Sequence, residues 1–186
     1  LNVLRASELS SNLKSLIMVS TDKACEHSSN YGMTKFLMEQ MALEFGKTAK
    51  VVRLGNVFGS QGSVIPIWDK QAPRDKRITL RTINGFAMRR FGTTPIEAGR
   101  FICDQTRTTS NLTEIVIPVM SVIDMGTMAE VYKHEFGCLI DKIDGQKGEK
   151  RFEHLVSYKE SPYATRDARK ITICYEKRPN LDITPW

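Results

Sequence analysis

Residues 16–35 read LIMVSTDKACEHSSNYGMTK. The first five, Leu16–Ser20, form a short apolar run suited to a buried strand. Small and polar residues follow, and Ser28 or Ser29 is placed to cap a helix. The helix predicted from about Tyr31 to Phe45 has Leu37, Met38, Met41, Ala42 and Phe45 at 3.6-residue spacing as its apolar face, with Gly46 ending it. Lys50–Leu54, KVVRL, reads as the next strand. Strand, helix and strand in that order predict a βαβ unit, hence an α/β protein with a parallel sheet.

The pattern continues outward. Residues 2–9 read as a helix end. Residues 55–66, GNVFGSQGSVIP, read as a glycine-rich loop. Further helices are predicted over 67–71, 94–106 and 124–136, the second with Pro95 in its first turn. Strands are predicted over 77–80, 114–117 and 170–175, and residues 145–157 as a turn feeding a helix. We expect residues 1–60 to be the C-terminal part of a Rossmann-like doubly wound sheet, incomplete at its start. Residues 61–186 are expected to form mainly a small α/β substrate-binding part, with some elements returning to the sheet.

Composition narrows the function. The chain has 186 residues, 41% hydrophobic and 26% charged, which is ordinary for a globular domain with a core or for part of a larger one. No run approaches the roughly 18 apolar residues of a membrane span. The net charge of +6 is spread along the chain, densest at residues 74–77 and 88–90, with no nucleic-acid-binding motif. It suits an anionic small molecule better than nucleic acid. The four cysteines, at 25, 103, 138 and 174, form no CxxC pair, so reduced thiols and a cytoplasmic location are expected. Leu1 opens inside a segment that already reads as mid-helix, which predicts an N-terminally incomplete chain.

The same twenty residues carry the chemistry. Tyr31 and Lys35 are four apart and share one helix face. An ammonium beside a phenol favours the phenolate. Lowering a phenol from about 10 toward neutrality needs roughly 4 kcal/mol, at about 1.4 per unit. Such a pair is a base for removing a proton from a sugar hydroxyl. Alone it is weak evidence, because the spacing recurs on ordinary surface helices. Ser20, Thr21, Asp22 and Lys23 follow the predicted strand directly, and strand C-terminal ends are where ligands bind in α/β sheets. A capped turn explains Thr21–Lys23 equally well in isolation; the five residues together point to an active site.

STDKA, then Y-G-x-T-K, then R-L-G-N-V-x-G-S-x-G-S-V-I-P closely resembles the extended short-chain dehydrogenase/reductases that act as UDP-N-acetylglucosamine 4,6-dehydratases of polysaccharide biosynthesis. The likeness runs over nearly the whole chain. Tyr31 stands where the soluble, C5-inverting members have tyrosine; the large membrane-bound relatives have methionine there. The resemblance implies Tyr31 as the base for C4 oxidation. Lys35 tunes it and, with Ser20 and Tyr31, holds the nicotinamide cofactor, NADP or NAD. Thr21 is implied to bond the C4 oxygen, Lys23 to take the C5 proton and Asp22 to protonate the departing hydroxyl. Asn56, Gly62, Ser63, Val64, Arg90 and Glu149 are implied to bind the nucleotide-sugar. A homo-oligomer is implied, without a nucleic-acid or membrane partner.

The departures are specific. The family's R-P-G-E-K-x-H-E keeps Gly148, Glu149, Lys150 and Glu153 but has Gln146, Lys147 and Phe152 in place of arginine, proline and histidine. Asn84–Ala87 replace an aspartate-proline turn, Arg89 a threonine, and His27-Ser28 an asparagine-proline. The family's N-terminal G-x-x-G-x-x-G does not occur here, so the chain alone is expected to be inactive and to expose a sheet edge. A nucleotide-sugar epimerase, a 5,6-dehydratase and a non-catalytic remnant remain open. Asp22-Lys23 favours dehydration, since a 4-epimerase needs only the hydroxyl, tyrosine and lysine.

Overall fold

The computed structural model describes residues 2–44, 49–107 and 112–176. In chain order the elements are α1 (Asn2–Leu9), β1 (Leu16–Thr21), a 3-10 turn (Asp22–Ala24), α2 (Asn30–Glu44), β2 (Ala49–Leu54), β3 (Asn56–Val57), α3 (Val64–Asp75), β4 (Arg77–Ile83) and β5 (Phe86–Ala87). Then come β6 (Arg89–Thr93), α4 (Pro95–Arg107), β7 (Glu114–Pro118), β8 (Ser121–Asp124), α5 (Met125–Phe136), β9 (Leu139–Asp144), a second 3-10 turn (Ser161–Tyr163), β10 (Ala164–Arg166) and β11 (Lys170–Ile173). The chain forms two compact units: residues 1–54, 99–119 and 154–186 make the first, 55–98 and 120–153 the second.

The first unit is built on a five-stranded sheet in the order β1-β2-β7-β11-β10. β1, β2 and β7 are parallel, and β11 and β10 close the sheet antiparallel. Every residue of β2 and β7 is buried, as expected of central parallel strands covered on both faces. β1 pairs with β2 in the register Ser20↔Arg53 and Thr21↔Leu54. No other strand among the described residues pairs with β1.

α2 buries Ala42 of the apolar face read in the sequence, but the rest of its buried stripe differs. Gly32, Glu39 and Ala42 are its buried residues, while Leu37 is exposed and lines a shallow pocket with Leu4, Met18, Met38 and Met41. Phe45 and Gly46 lie outside the described residues. The inward stripe follows a buried ion triad. Arg53 on β2 donates Nε to Glu39 Oε1 (3.1 Å) and Nη2 to Glu39 Oε2 (2.7 Å) and Glu160 Oε1 (2.7 Å). Its Nη1 reaches Glu160 Oε2 (3.1 Å) and the Leu155 carbonyl (2.7 Å). Burial works against the Arg53 charge, but the hydrogen bonds and charges of Glu39 and Glu160 outweigh it and push its pKa up. Glu160 also caps the turn that holds it, accepting the Ser157 N–H at 2.7 Å.

The second unit carries two three-stranded sheets, β3-β6-β8 and β5-β4-β9. Its core contains Trp68, Ala72, Ile78, Leu80, Met88, Met125, Ala129 and Cys138. α3 is longer than the predicted 67–71 because neither of its prolines ends it. Pro66 stands in the first turn, where its missing N–H costs nothing, and Pro73 in the last, where one bond is lost. The predicted loop 55–66 therefore contains β3 and the start of α3. Residues 145–157 form turns and a bridge, not the predicted helix. There the Arg151 carbonyl accepts from Arg89 N–H (2.9 Å), so backbone bonding goes to β6 rather than to a helical turn. Asn84 and Gly85, at φ +51° and +79°, turn β4 into β5. Consecutive positive φ values suit an Asn-Gly pair and mark a hairpin turn.

Candidate active site

β1 delivers Ser20 and Thr21 to its C-terminal end, and the chain then tightens into the 3-10 turn. Thr21 starts that turn, its Oγ1 accepting the Lys23 N–H at 3.5 Å while donating to Asp22 Oδ1 at 2.9 Å. Lys23 Nζ donates to the same oxygen at 3.1 Å. Asp22 is 1% exposed, and its Oδ2 is buried without a hydrogen-bond partner among the described residues. Ser20 Oγ is buried without one as well. A buried polar atom left unpaired costs free energy, so such atoms mark where a ligand group or water completes the bonding.

α2 brings the other two residues. Ser29 Oγ accepts the Gly32 N–H at 3.0 Å, which makes Ser29 the cap. Tyr31, in the first turn, is 53% exposed. Lys35 Nζ donates to the Val19 carbonyl at 3.0 Å, pinning the helix to the last residues of β1. Gly32 permits this approach: a Cβ there would lie inside contact distance of the Lys23 carbonyl oxygen and 3.1 Å from the His27 Cα. Gly32→Ala is therefore expected to push α2 off the turn at a cost of about 1–3 kcal/mol, read as a lowered denaturation midpoint. Neither Gly32 nor Glu39 was singled out from sequence. Gly32 lies within Y-G-x-T-K, and Glu39 repeats the Lys35 position one turn on, a spacing that places both on one face.

Ser20, Thr21, Asp22, Lys23, Tyr31 and Lys35 thus come together within the first unit. Asn56, Gly62, Ser63, Val64, Arg90 and Glu149 all belong to the second. Asn56 lies on β3, Gly62 at φ +79°, and Ser63 and Val64 open α3, with Ser63 Oγ buried and unpaired among the described residues. Glu149 accepts the Gln146 N–H at 2.6 Å and pairs with Arg81 at 3.7 Å, holding its own turn. Arg90 is buried, its Nη1 donating to the carbonyls of Arg89 (2.9 Å) and Arg151 (3.2 Å) and its Nη2 against Met88 Sδ (2.6 Å). All four cysteines are free thiols. Among the described residues no helix is long and apolar enough to cross a membrane, and no cluster of metal-ligating side chains occurs.

The parallel sheet, with a tight turn at the end of β1, makes this a Rossmann-like α/β protein. The chain belongs to the polysaccharide biosynthesis protein family, whose sequence pattern matches residues 1–175. It is similar to the probable polysaccharide biosynthesis protein EpsC of Bacillus subtilis, at 28% identity over 168 residues, 86% of this chain and 27% of that protein. A UDP-glucose 4-epimerase of Rickettsia felis is 38% identical over 86 residues, 42% of this chain and 25% of the epimerase. The X-ray structure of Pen from Bacillus thuringiensis superposes with a TM-score of 0.85 at 28% identity, over 92% of this chain and 56% of that one. The chain spans about a quarter of the length of the curated relatives it matches.

Proposed function

We propose that this chain carries the proton-transfer turn and the sugar-binding segment of a nucleotide-sugar 4,6-dehydratase acting on UDP-N-acetylglucosamine. The observation that carries the reading is the Asp22–Lys23 pair. Both groups sit beside Thr21 at a strand end, hydrogen-bonded to each other, with one carboxylate oxygen buried and unpaired among the described residues. Elimination needs one group to take a proton and another to give one. A bonded acid–base pair does both without a change in its net proton count.

The reading requires NADP or NAD, and the residues fit it: the unpaired Ser20 Oγ, the Lys35 amine and the exposed Tyr31 phenol adjoin one strand end and would hold its ribose and nicotinamide. Bound, that cofactor accepts and returns a hydride. Tyr31 takes the C4 hydroxyl proton, and Thr21 rotates from Asp22 to bond the C4 oxygen. A ketone at C4 acidifies C5–H. Lys23 takes that proton while Asp22 protonates the C6 hydroxyl, which leaves as water. Protonation of C5 from the opposite face inverts it. Asn56, Gly62, Ser63, Val64, Arg90 and Glu149 shape the nucleotide-sugar pocket, Arg90 and Glu149 by fixing backbone around it. The protein acts in the cytoplasm as a homo-oligomer.

The match to the Rickettsia felis epimerase supports a second reading, inversion at C4. One assay separates them. The protein, carried in a polypeptide that includes dinucleotide-binding strands, is incubated with UDP-N-acetylglucosamine and NADP or NAD, and the product is examined by mass and NMR. Loss of water with a C4 ketone is the expected result; a C4 epimer of unchanged mass selects the epimerase.

A further inference from the structure

We propose that β9 is a docking edge for a second copy of this chain, the two strands running antiparallel about a two-fold axis at Ile143. This gives a surface to the homo-oligomer proposed above, and the catalytic reading does not depend on it. β9 ends the sheet β5-β4-β9 and pairs only with β4 among the described residues. The Leu139 N–H donates to the Lys76 carbonyl at 2.9 Å and the Gly145 N–H to the Thr82 carbonyl at 2.8 Å. Alternation along the strand therefore turns the main-chain groups of Ile140, Lys142 and Asp144 outward, a row of donors and acceptors open to another strand. The side chains along this edge are open as well. Leu139 is 57% exposed and Ile143 39%, and Lys142 and Asp144 are also exposed.

Charge selects the occupant. Lys142 lines a groove between β9 and α5 in which the other charges are matched, Arg77 with Asp141 and Lys133 with Glu130 at 3.3 Å. The Lys142 and Asp144 side chains enter no ion pair or hydrogen bond among the described residues. They stand two residues apart on one face of the strand. Antiparallel pairing about Ile143 sets Lys142 opposite the partner's Asp144, and Asp144 opposite the partner's Lys142. Opposite charges across a strand pair stabilise it, and like charges weaken it. The adjacent registers bring like charges together: an axis at Asp141 or at Lys142 sets that residue against its own copy. With the axis at Ile143, the two isoleucines meet on the other face and leave water. Each copy uses its own edge to cover the other's, so the contact closes at a dimer.

Sedimentation equilibrium of the chain tests this. The wild type is expected to be a dimer that loosens as salt screens the exposed pairs. Lys142→Glu and Asp144→Lys should each weaken self-association at least tenfold, because each sets like charges across the axis. An equimolar mixture of the two should recover it, since every cross-strand pair in the mixed dimer is again of opposite sign. That recovery also shows both variants to be folded. In a Cys103→Ser background, Ile143→Cys should form an intermolecular disulfide on mild oxidation, the facing Cα atoms of a non-hydrogen-bonded pair lying about 4.5 Å apart. Asp141→Cys, which links only if the axis lies at 141, should not. A dimer that neither reversal weakens, or reversals that the mixture does not repair, overturns the β9 edge alone. A monomeric wild type overturns it together with the homo-oligomer.

Discussion

Tyr31→Phe is expected to cut formation of the 4-keto-6-deoxy product by about 10²–10⁴-fold, the usual contribution of a positioned general base. Lys23→Ala should do comparable harm at a different step. With Tyr31 and Lys35 intact on α2, C4 oxidation continues, but no amine takes the C5 proton. Incubation in deuterated water distinguishes the two. The Tyr31 variant gives neither reduced cofactor nor exchange. The Lys23 variant gives reduced cofactor absorbance without deuterium at C5. Asp22→Asn should permit C5 exchange yet retain the C6 hydroxyl, because the amide has no proton of the needed acidity. Wild-type dehydration by Lys23→Ala would remove Lys23 as the base at C5 and overturn its part in the elimination.

Arg53→Met is the substitution with the largest expected effect on stability. It leaves the carboxylates of Glu39 and Glu160 facing each other in a buried site, where Arg53 and Glu39 side chains have no solvent exposure. Removing one partner of such a group costs about 3–5 kcal/mol. At about 2–4 °C per kcal/mol for a chain of this size, the melting temperature should fall by roughly 6–20 °C. Replacing all three residues by apolar ones should recover most of the loss, because no uncompensated charge remains. The pH dependence checks the cause. Burial raises the Glu160 pKa, but Arg53 and the Ser157 N–H outweigh it, so the folded value lies below the ordinary 4.5. A depressed carboxylate contributes stability above the unfolded value and loses it as pH falls through the folded one. The wild type should therefore weaken below about pH 4.5. Arg53→Met, whose carboxylates gain by protonation, should lose less there, narrowing the gap in denaturant midpoint on acidification.

The strand–helix–strand core was legible because a central parallel strand such as KVVRL is apolar or paired along its whole length, and because Tyr31 and Lys35 lie at a helical interval. Helix α4 was legible from Pro95 in its first turn. The short strands of the second unit were not. β3, β5 and β8 have two to four residues each, too few for an alternation to show. The Asn84-Gly85 pair does carry a hairpin signal, and it turns β4 into β5. α2 misled for a different reason. Its inward stripe is set by Glu39, a residue normally outside, whose burial depends on an arginine fourteen positions away. The burial of Arg90 was not legible either: nothing in a basic run marks the one guanidinium that two backbone carbonyls hold inside.

The triad around Arg53 also sets an order on synthesis. Glu39 is made before Arg53, but Glu160 follows it by 107 residues and the Leu155 carbonyl by 102. Until that late segment leaves the ribosome, the guanidinium lacks three of its five hydrogen bonds, and α2 rests on a partly satisfied charge. Contacts of such sequence separation form slowly. A polypeptide released short of residue 160 would hold Tyr31 and Lys35 on a helix whose Glu39–Arg53 pair lacks the Glu160 carboxylate.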